Sequence, residues 1–202
     1  MSQNEVIIMA KFPFGEDVKT RLAKAIGTRS AQGVYARLLY EILINLSNHR
    51  SQNTTLNLYL ASESGKSYFN AAFPEMKIQT QSRGDIGERM HKAFQNVFSI
   101  GAEKVVLIGT DIPGLKWSIL EKAFESLEQN KIVLGPTKDS GYYLVGMQSP
   151  GIDIFQNVMW STKFVLKNTF RNIEELGFQV DLLPERHDID TIEDLEQWQA
   201  GF

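Results

Sequence analysis

Short apolar runs of strand character alternate with longer stretches of helical periodicity along the whole chain, and this alternation restricts the fold more than any other feature. Glu5–Ala10 (EVIIMA) is a β-branched run closed by a turn-rich segment, which reads as the first strand. Between Ser30 and Asn48, apolar residues at Val34, Leu38, Leu39, Ile42, Leu43 and Leu46 recur at helical spacing. TTLNLYLA, ending at Ala61, and MKIQTQ, with Met76, Ile78 and Thr80 on one face, supply two further strands. Gly84–Phe98 carries the stripe Met90, Ala93, Phe94, Val97 and Phe98, and KVVLIGTD after it is the strongest strand of the chain. Leu115–Leu127 is expected to be helical, KIVLGPT and GYYLVGM to be strands, and Ser161–Leu176 a helix. FQVDLLP reads as extended, and Thr191–Trp198 as a last helix, with Thr191 as N-cap and Asp194 completing an imperfect capping box.

Alternation of this kind predicts an α/β fold, a three-layer α/β/α sandwich on a mixed, mainly parallel sheet. The short Thr137–Gly141 link leaves no room for a crossover, so one antiparallel pair is expected there. With 202 residues and no repeat, low-complexity tract or linker, the whole chain, 1–202, reads as a single domain.

The net charge of −3 provides no sequence-wide basic field for nucleic acid or an anionic membrane. The absence of cysteine excludes disulfides, thiolate nucleophiles and Cys-ligated zinc. The N-terminus has no basic segment before its short apolar run, and nothing approaches the roughly 18 apolar residues of a membrane span, so a cytoplasmic, soluble protein is expected.

In an open α/β sheet, ligands bind beyond the C-terminal ends of the strands, and four segments lie there. KFPFGEDVKTRL places Lys11, Lys19 and Arg21 in one loop with the hydroxyl of Thr20 and a glycine. This is compatible with a polyphosphate cradle or with a solvated basic loop. It is not a Walker A loop, because Pro13 and Val18 stand where that motif has glycine. Asp111 ends the strongest strand. It reads either as a ligand for Mg²⁺ or Mn²⁺ or as a turn residue before a helix begun by Pro113. Asp139-Ser140-Gly141 is ordinary hairpin punctuation, but the same turn faces the expected pocket, where Asp139 and Tyr142 would meet a sugar or base. In the extended segment HDIDT, Asp188 and Asp190 point to one side, and a divalent ion shared with Asp111 would account for both acidic sites. No G-x-S-x-G elbow and no G-x-G-x-x-G turn is present, and His49, His91 and His187 show no metal-ligand spacing. Trp117, Trp160 and Trp198 are compatible with core or interface, so the oligomeric state stays open.

KFPFGEDVKTRL, GDIGERM, IGTDIPGL, GPTKDSGYYLVG, WST and DIDTIEDL, in this order, resemble a bacterial family of glycosyltransferase-like proteins of the GT-A (nucleotide-diphospho-sugar transferase) superfamily. Some of its members are named arsenosugar-biosynthesis glycosyltransferases. The superfamily also holds guanylyltransferases for molybdopterin and 2-phospholactate, and the Kdo cytidylyltransferase. The resemblance implies that Lys11, Lys19, Thr20 and Arg21 bind the nucleotide and its phosphates, with Gly84, Asp85 and Tyr142 as further substrate contacts. It implies Asp111 and Asp190 as metal ligands, with Asp188 beside them, and Mg or Mn as cofactor. Asp111, Lys19 and Asp139 are then the candidate catalytic residues, with Asp139 as base. The partners implied are a nucleotide or nucleotide-sugar and a small-molecule acceptor. The first loop departs from the G-G-x-G-T-R-L form of sugar-phosphate nucleotidyltransferases, reading Pro13-Phe14-Gly15 and later Lys-Thr-Arg-Leu. Sugar transfer from a nucleotide-diphospho-sugar is the leading expectation. Nucleotidyl transfer from an NTP to a phosphorylated molecule, or nucleotide binding without turnover, stand beside it.

Overall fold

The computed structural model describes residues 4–201. Seven strands form one sheet: β1 (Asn4–Ala10), β2 (Thr54–Leu60), β3 (Lys77–Thr80), β4 (Lys104–Ile108), β5 (Ile132–Pro136), β6 (Tyr142–Met147) and β7 (Val180–Leu182). Their spatial order is β3-β2-β1-β4-β6-β5-β7. All neighbours are parallel except β6, which runs against both β4 and β5. One antiparallel pair was expected. A reversed strand inserted between two parallel ones necessarily makes two.

The central strands read as continuous apolar runs because both faces of the sheet are covered. In β4, Val106 and Ile108 join one core cluster while Val105 and Leu107 join the other. Complete burial of such side chains contributes about 2 kcal/mol each. The first face packs on α2 (Thr28–His49), α3 (Lys66–Ala72) and α5 (Trp117–Gln129). The second packs on α4 (Ile86–Ser99), α6 (Val165–Glu175) and the segment through Phe155. This is the three-layer α/β/α arrangement expected. A third, smaller cluster of Leu22, Ala31, Leu38, Ile189 and Leu195 joins α1 (Thr20–Ile26) and α7 (Ile192–Gln199) to α2. No helix among the described residues is long and apolar enough to cross a membrane.

Three helices depart from expectation. Thr20 and Arg21, expected in a loop, form the first turn of α1, and α3 was not expected at all. The expected helix from Ser161 starts only at Val165, because Ser161 takes a left-handed backbone and Thr162 Oγ1 bonds the carbonyl of Met159. The capping box of α7 is complete, with Asp194 accepting from the Thr191 amide and Thr191 Oγ1 from the Asp194 amide.

Candidate active site

The C-terminal ends of β1, β2, β3 and β4 open into a cavity of about 310 Å³. Its floor is made by Ala10, Ala61, Gln81 and Thr110, one from the end of each strand. Gln81 is held there by donating Nε2 to the carbonyls of Tyr59 (2.9 Å) and Ala10 (3.2 Å). Tyr35 from α2 ties the wall to the floor. Its hydroxyl accepts from the Lys11 amide at 2.9 Å and pairs with Thr110 Oγ1 at 3.1 Å. Burial pushes this phenol up to about 12, so it stays protonated.

Lys19 is the centre of the site. Its backbone is left-handed (φ 48, ψ 45) at the N-cap of α1, a conformation that costs a non-glycine residue about 1–2 kcal/mol. Its side chain is 2% exposed, and its ammonium bridges Asp111 and, at 2.9 Å, Asp190. Burial pulls the ammonium down, but the two carboxylates outweigh it and hold the pKa above the ordinary lysine value. The two carboxylates arrive from distant parts of the chain and are locked together by their backbones. After β7 the chain runs on along β5, with the Arg186 amide on the Pro136 carbonyl and the Lys138 amide on the Arg186 carbonyl. It then crosses to β4, where the Ile189 amide donates to the Asp111 carbonyl at 3.0 Å. Docking of Ile189 and Leu195 in the third core cluster fixes this crossing.

Most of the sequence-derived binding residues line this cavity: Lys11, Lys19, Thr20, Arg21, Asp111 and Asp190. Lys11 folds its ammonium back onto the Asp17 carbonyl at 2.7 Å. Gly84 and Asp85 are placed differently. Gly84 (φ +120) makes the turn into α4, and Asp85 forms a capping box with Glu88. Asp85 faces a separate cavity of about 540 Å³ between α4 and the segment 153–157. The residues of GDIGERM that reach the strand-end cavity are Ile86 and Arg89, the latter held by Nε donating to the Gly84 carbonyl at 2.8 Å. Arg89, Gln81 and Tyr35 were not singled out from the sequence. Arg89 lies inside a quoted motif and offered the only signal.

A smaller cavity of about 140 Å³, beyond β4 and the β5–β6 hairpin, brings together Asp111, Asp139 and Asp188. Asp139 Oδ1 accepts from Thr137 Oγ1 (2.5 Å) and from the Gly141 amide (3.1 Å), which is turn chemistry. The Tyr142 hydroxyl is buried beside the Thr169 side chain, and its ring stands edge-on to Trp160, so its phenol is pushed up by burial. Asp188 is pushed up to about 6 by burial, with repulsion from Asp139 and Asp190 added and Lys19 opposing. A raised carboxyl pKa favours the folded chain fully below the ordinary value of 3.8, and that gain is lost as pH rises through about 6. Asp188→Asn is therefore expected to raise the melting temperature by about 2–4 °C at pH 7.5, from relief of about 1 kcal/mol, and to change little at pH 4.5. Scanning calorimetry at the two pH values checks this. An equal shift at both would show that ionisation is not its cause.

The expected metal can be tested against this geometry. Asp111 and Asp190 converge on one position, and the Lys19 ammonium fills it. Asp188 stands apart, facing Asp139. Among the described residues no group of three His, Cys, Asp or Glu side chains is arranged to hold a metal ion. With Lys19 in place, the three aspartates do not fit a resident divalent ion.

The family described as "Uncharacterized protein conserved in bacteria (DUF2064)" matches residues 46–162, more than half of the chain, including β4, Asp111 and the β5–β6 hairpin. The chain belongs to this family. No match is found among curated proteins. Among solved structures, a "putative nucleotide-diphospho-sugar transferase" from Desulfovibrio desulfuricans G20 is 29% identical, with a TM-score of 0.89, over 98% of this chain and 87% of that one. The 4-diphosphocytidyl-2C-methyl-D-erythritol synthase of Anaerococcus prevotii shares the fold at 12% identity and a TM-score of 0.62, over 98% and 94% of the two chains. Rv0371c of Mycobacterium tuberculosis H37Rv, in its complex with manganese, shares it at 14% identity and 0.55, over 98% of each chain. The DUF2064 chain thus has the nucleotide-diphospho-sugar transferase fold that its motifs resemble. The three tryptophans are also placed. Trp117 is buried in the first turn of α5, Trp160 packs on α4, and Trp198 lies beneath the Arg37 guanidinium at 4.6 Å.

Proposed function

We propose that this chain is a transferase acting on a nucleotide-activated substrate, and that it moves a sugar from a nucleotide-diphospho-sugar to a small acceptor. The observation that carries this reading is the cavity at the strand ends, where Lys11, Lys19, Arg21 and Arg89 converge around a floor of small and amide side chains. Four cations suit a diphosphate, whose charge rises as the bond to the sugar breaks. Similarity to the Desulfovibrio protein over nearly the whole chain supports the sugar-nucleotide class of donor.

In the proposed reaction the acceptor oxygen forms a bond to the anomeric carbon while the bond from that carbon to the diphosphate oxygen breaks. The nucleoside diphosphate leaves with the bonding electrons, and the acceptor proton passes to a carboxylate. Lys19, Arg21, Lys11 and Arg89 hold the leaving diphosphate and stabilise its charge. Asp139 is assigned as the base, because it lines the small cavity next to Asp111 and Asp188 on the side where an acceptor would enter.

Nucleotidyl transfer is the second reading. The same four cations suit a leaving pyrophosphate, and a cytidylyl-type synthase shares the fold. Thermal shift and calorimetric titration with nucleoside diphosphate sugars and nucleoside triphosphates, with and without Mn²⁺, test both. Stabilisation by a sugar nucleotide, followed by release of nucleoside diphosphate with an acceptor, is expected. Pyrophosphate release from a triphosphate selects the second reading, binding without turnover selects a non-catalytic module, and no stabilisation by any nucleotide overturns all three.

A further inference from the structure

The position expected to hold a metal is already held by a cation of the protein. The Lys19 ammonium contacts Asp111 and Asp190 together, and its side chain is 2% exposed while the two carboxylates are 50% and 37% exposed. A lysine at a surface would normally keep its head in water. Here the whole side chain is drawn inward, and its backbone is kept left-handed to do so. Such a conformation persists only where the surroundings over-determine it. The surroundings do so: the Ala23 amide bonds the Lys19 carbonyl, Leu22 is fully buried in the cluster shared with Ile189 and Leu195, and the Asp111 and Ile189 backbones are bonded to each other. The spacing between the two carboxylates is therefore set by backbone and core packing, and the ammonium is fitted between them.

Charge arithmetic points the same way. Two aspartates with one lysine carry a net charge of −1, and a divalent ion added beside the ammonium would meet repulsion from it at close range. Removing the ammonium leaves two partly buried carboxylates aimed at one point, a position suited to a hard cation. We propose that Lys19 is a built-in cation that takes the place of a divalent metal between Asp111 and Asp190, so the nucleotide-free protein has no divalent metal site there and deleting the ammonium creates one. This rests on the proposed function only in assigning the cavity to a nucleotide. The absence of a resident metal follows from the side chains alone.

Mn²⁺ titration of the nucleotide-free protein, followed by electron paramagnetic resonance of free Mn²⁺, tests it. The wild type is expected to show no saturable binding at the site. Lys19→Met is expected to bind Mn²⁺ at least about tenfold more tightly, with the gain lost in Lys19→Met combined with Asp111→Asn. Lys19→Gln serves as a second variant, and circular dichroism establishes that each is folded. Saturable Mn²⁺ binding by the wild type that disappears in Asp111→Asn would overturn the proposal, whether or not the lysine variants fold. Folded Lys19→Met and Lys19→Gln with no gain would overturn it too. Because these titrations contain no nucleotide, failure of the nucleotide reading leaves their outcome unchanged. That failure would appear separately, as a wild type that binds neither sugar nucleotides nor triphosphates.

Discussion

Lys19→Met is expected to lower the melting temperature by about 4–8 °C at pH 7.5 and to abolish nucleotide-induced stabilisation. The first effect comes from stranding two carboxylates. Breaking one partner of a fully buried ion pair costs about 3–5 kcal/mol, because the other charge is left without compensation. Asp111 and Asp190 are 50% and 37% exposed, so water screens part of that penalty and about 2 kcal/mol is the appropriate figure. A domain of this size loses about 2–4 °C per kcal/mol. The sign of the pH dependence follows from the lysine. Its pKa is raised above 10.5, so its contribution is complete below that pH and is lost only as pH rises through the still higher value of the folded state. The difference between wild type and variant should therefore persist through neutral pH and close in strong alkali. Scanning calorimetry across pH 7 to 11 measures it. A difference already gone by pH 9 would mean that burial outweighs the two carboxylates and holds the folded-state pKa of Lys19 below the ordinary lysine value. The second effect follows from position. Of the cations lining the strand-end cavity, Lys19 is the one tied to both carboxylates, so its loss adds net negative charge where the proposed reading puts the diphosphate.

What was legible in the sequence follows from where local pattern carries the information. The strands of the sheet centre were read because their side chains are buried on both faces, which requires unbroken apolar runs such as Val105–Ile108. Helix α4 was read from its apolar stripe, Met90, Ala93, Phe94, Val97 and Phe98, and α7 from its polar start, Thr191 with Asp194. Helices α1 and α3 were missed for the opposite reason. Each is seven residues long, begins at a left-handed residue (Lys19 and Gly65) without a side-chain cap, and has no acidic residue in its first turn. At the site, Asp111, Asp190 and Lys19 were each visible as candidates, being charged residues at strand ends. Their mutual neutralisation was not. It depends on the hydrogen bond from Ile189 to Asp111 and on the docking of α7, which are tertiary facts with no local signature. Two carboxylates that converge suggest a cation, but the pattern alone does not say whether that cation is a metal or a lysine. Asp85 was assigned to substrate for a related reason. A carboxylate in a glycine-rich turn after a strand has the same appearance whether it meets a ligand or caps the next helix.

Gly87→Val is expected to be the most damaging substitution outside the charged centre, lowering stability by about 2–4 kcal/mol and weakening turnover with any acceptor that enters beside the β5–β6 hairpin. Gly87 has ordinary helical backbone, so the reason for glycine is space. A Cβ there would lie 2.6 Å from Cζ2 and 2.7 Å from Nε1 of the Trp160 indole. The indole is backed by Tyr142 at 6.3 Å and by Phe155 at 6.4 Å, so it can yield only outward. This single contact links two motifs that looked unrelated in the sequence, GDIGERM at the start of α4 and WST ahead of α6. It also connects to the hairpin, because Tyr142 begins β6 and the Leu166 amide at the start of α6 bonds the Ser140 carbonyl. Pushing Trp160 outward would therefore move the support beneath Asp139 and Ser140. A double-mutant cycle separates this from a general loss of helix stability. If the clash is the cause, Trp160→Ala removes the obstacle, and Gly87→Val added to it should cost about 1 kcal/mol or less. Additive losses in the cycle would instead place the effect of Gly87→Val within α4 itself, and the two motifs would then be neighbours without being coupled.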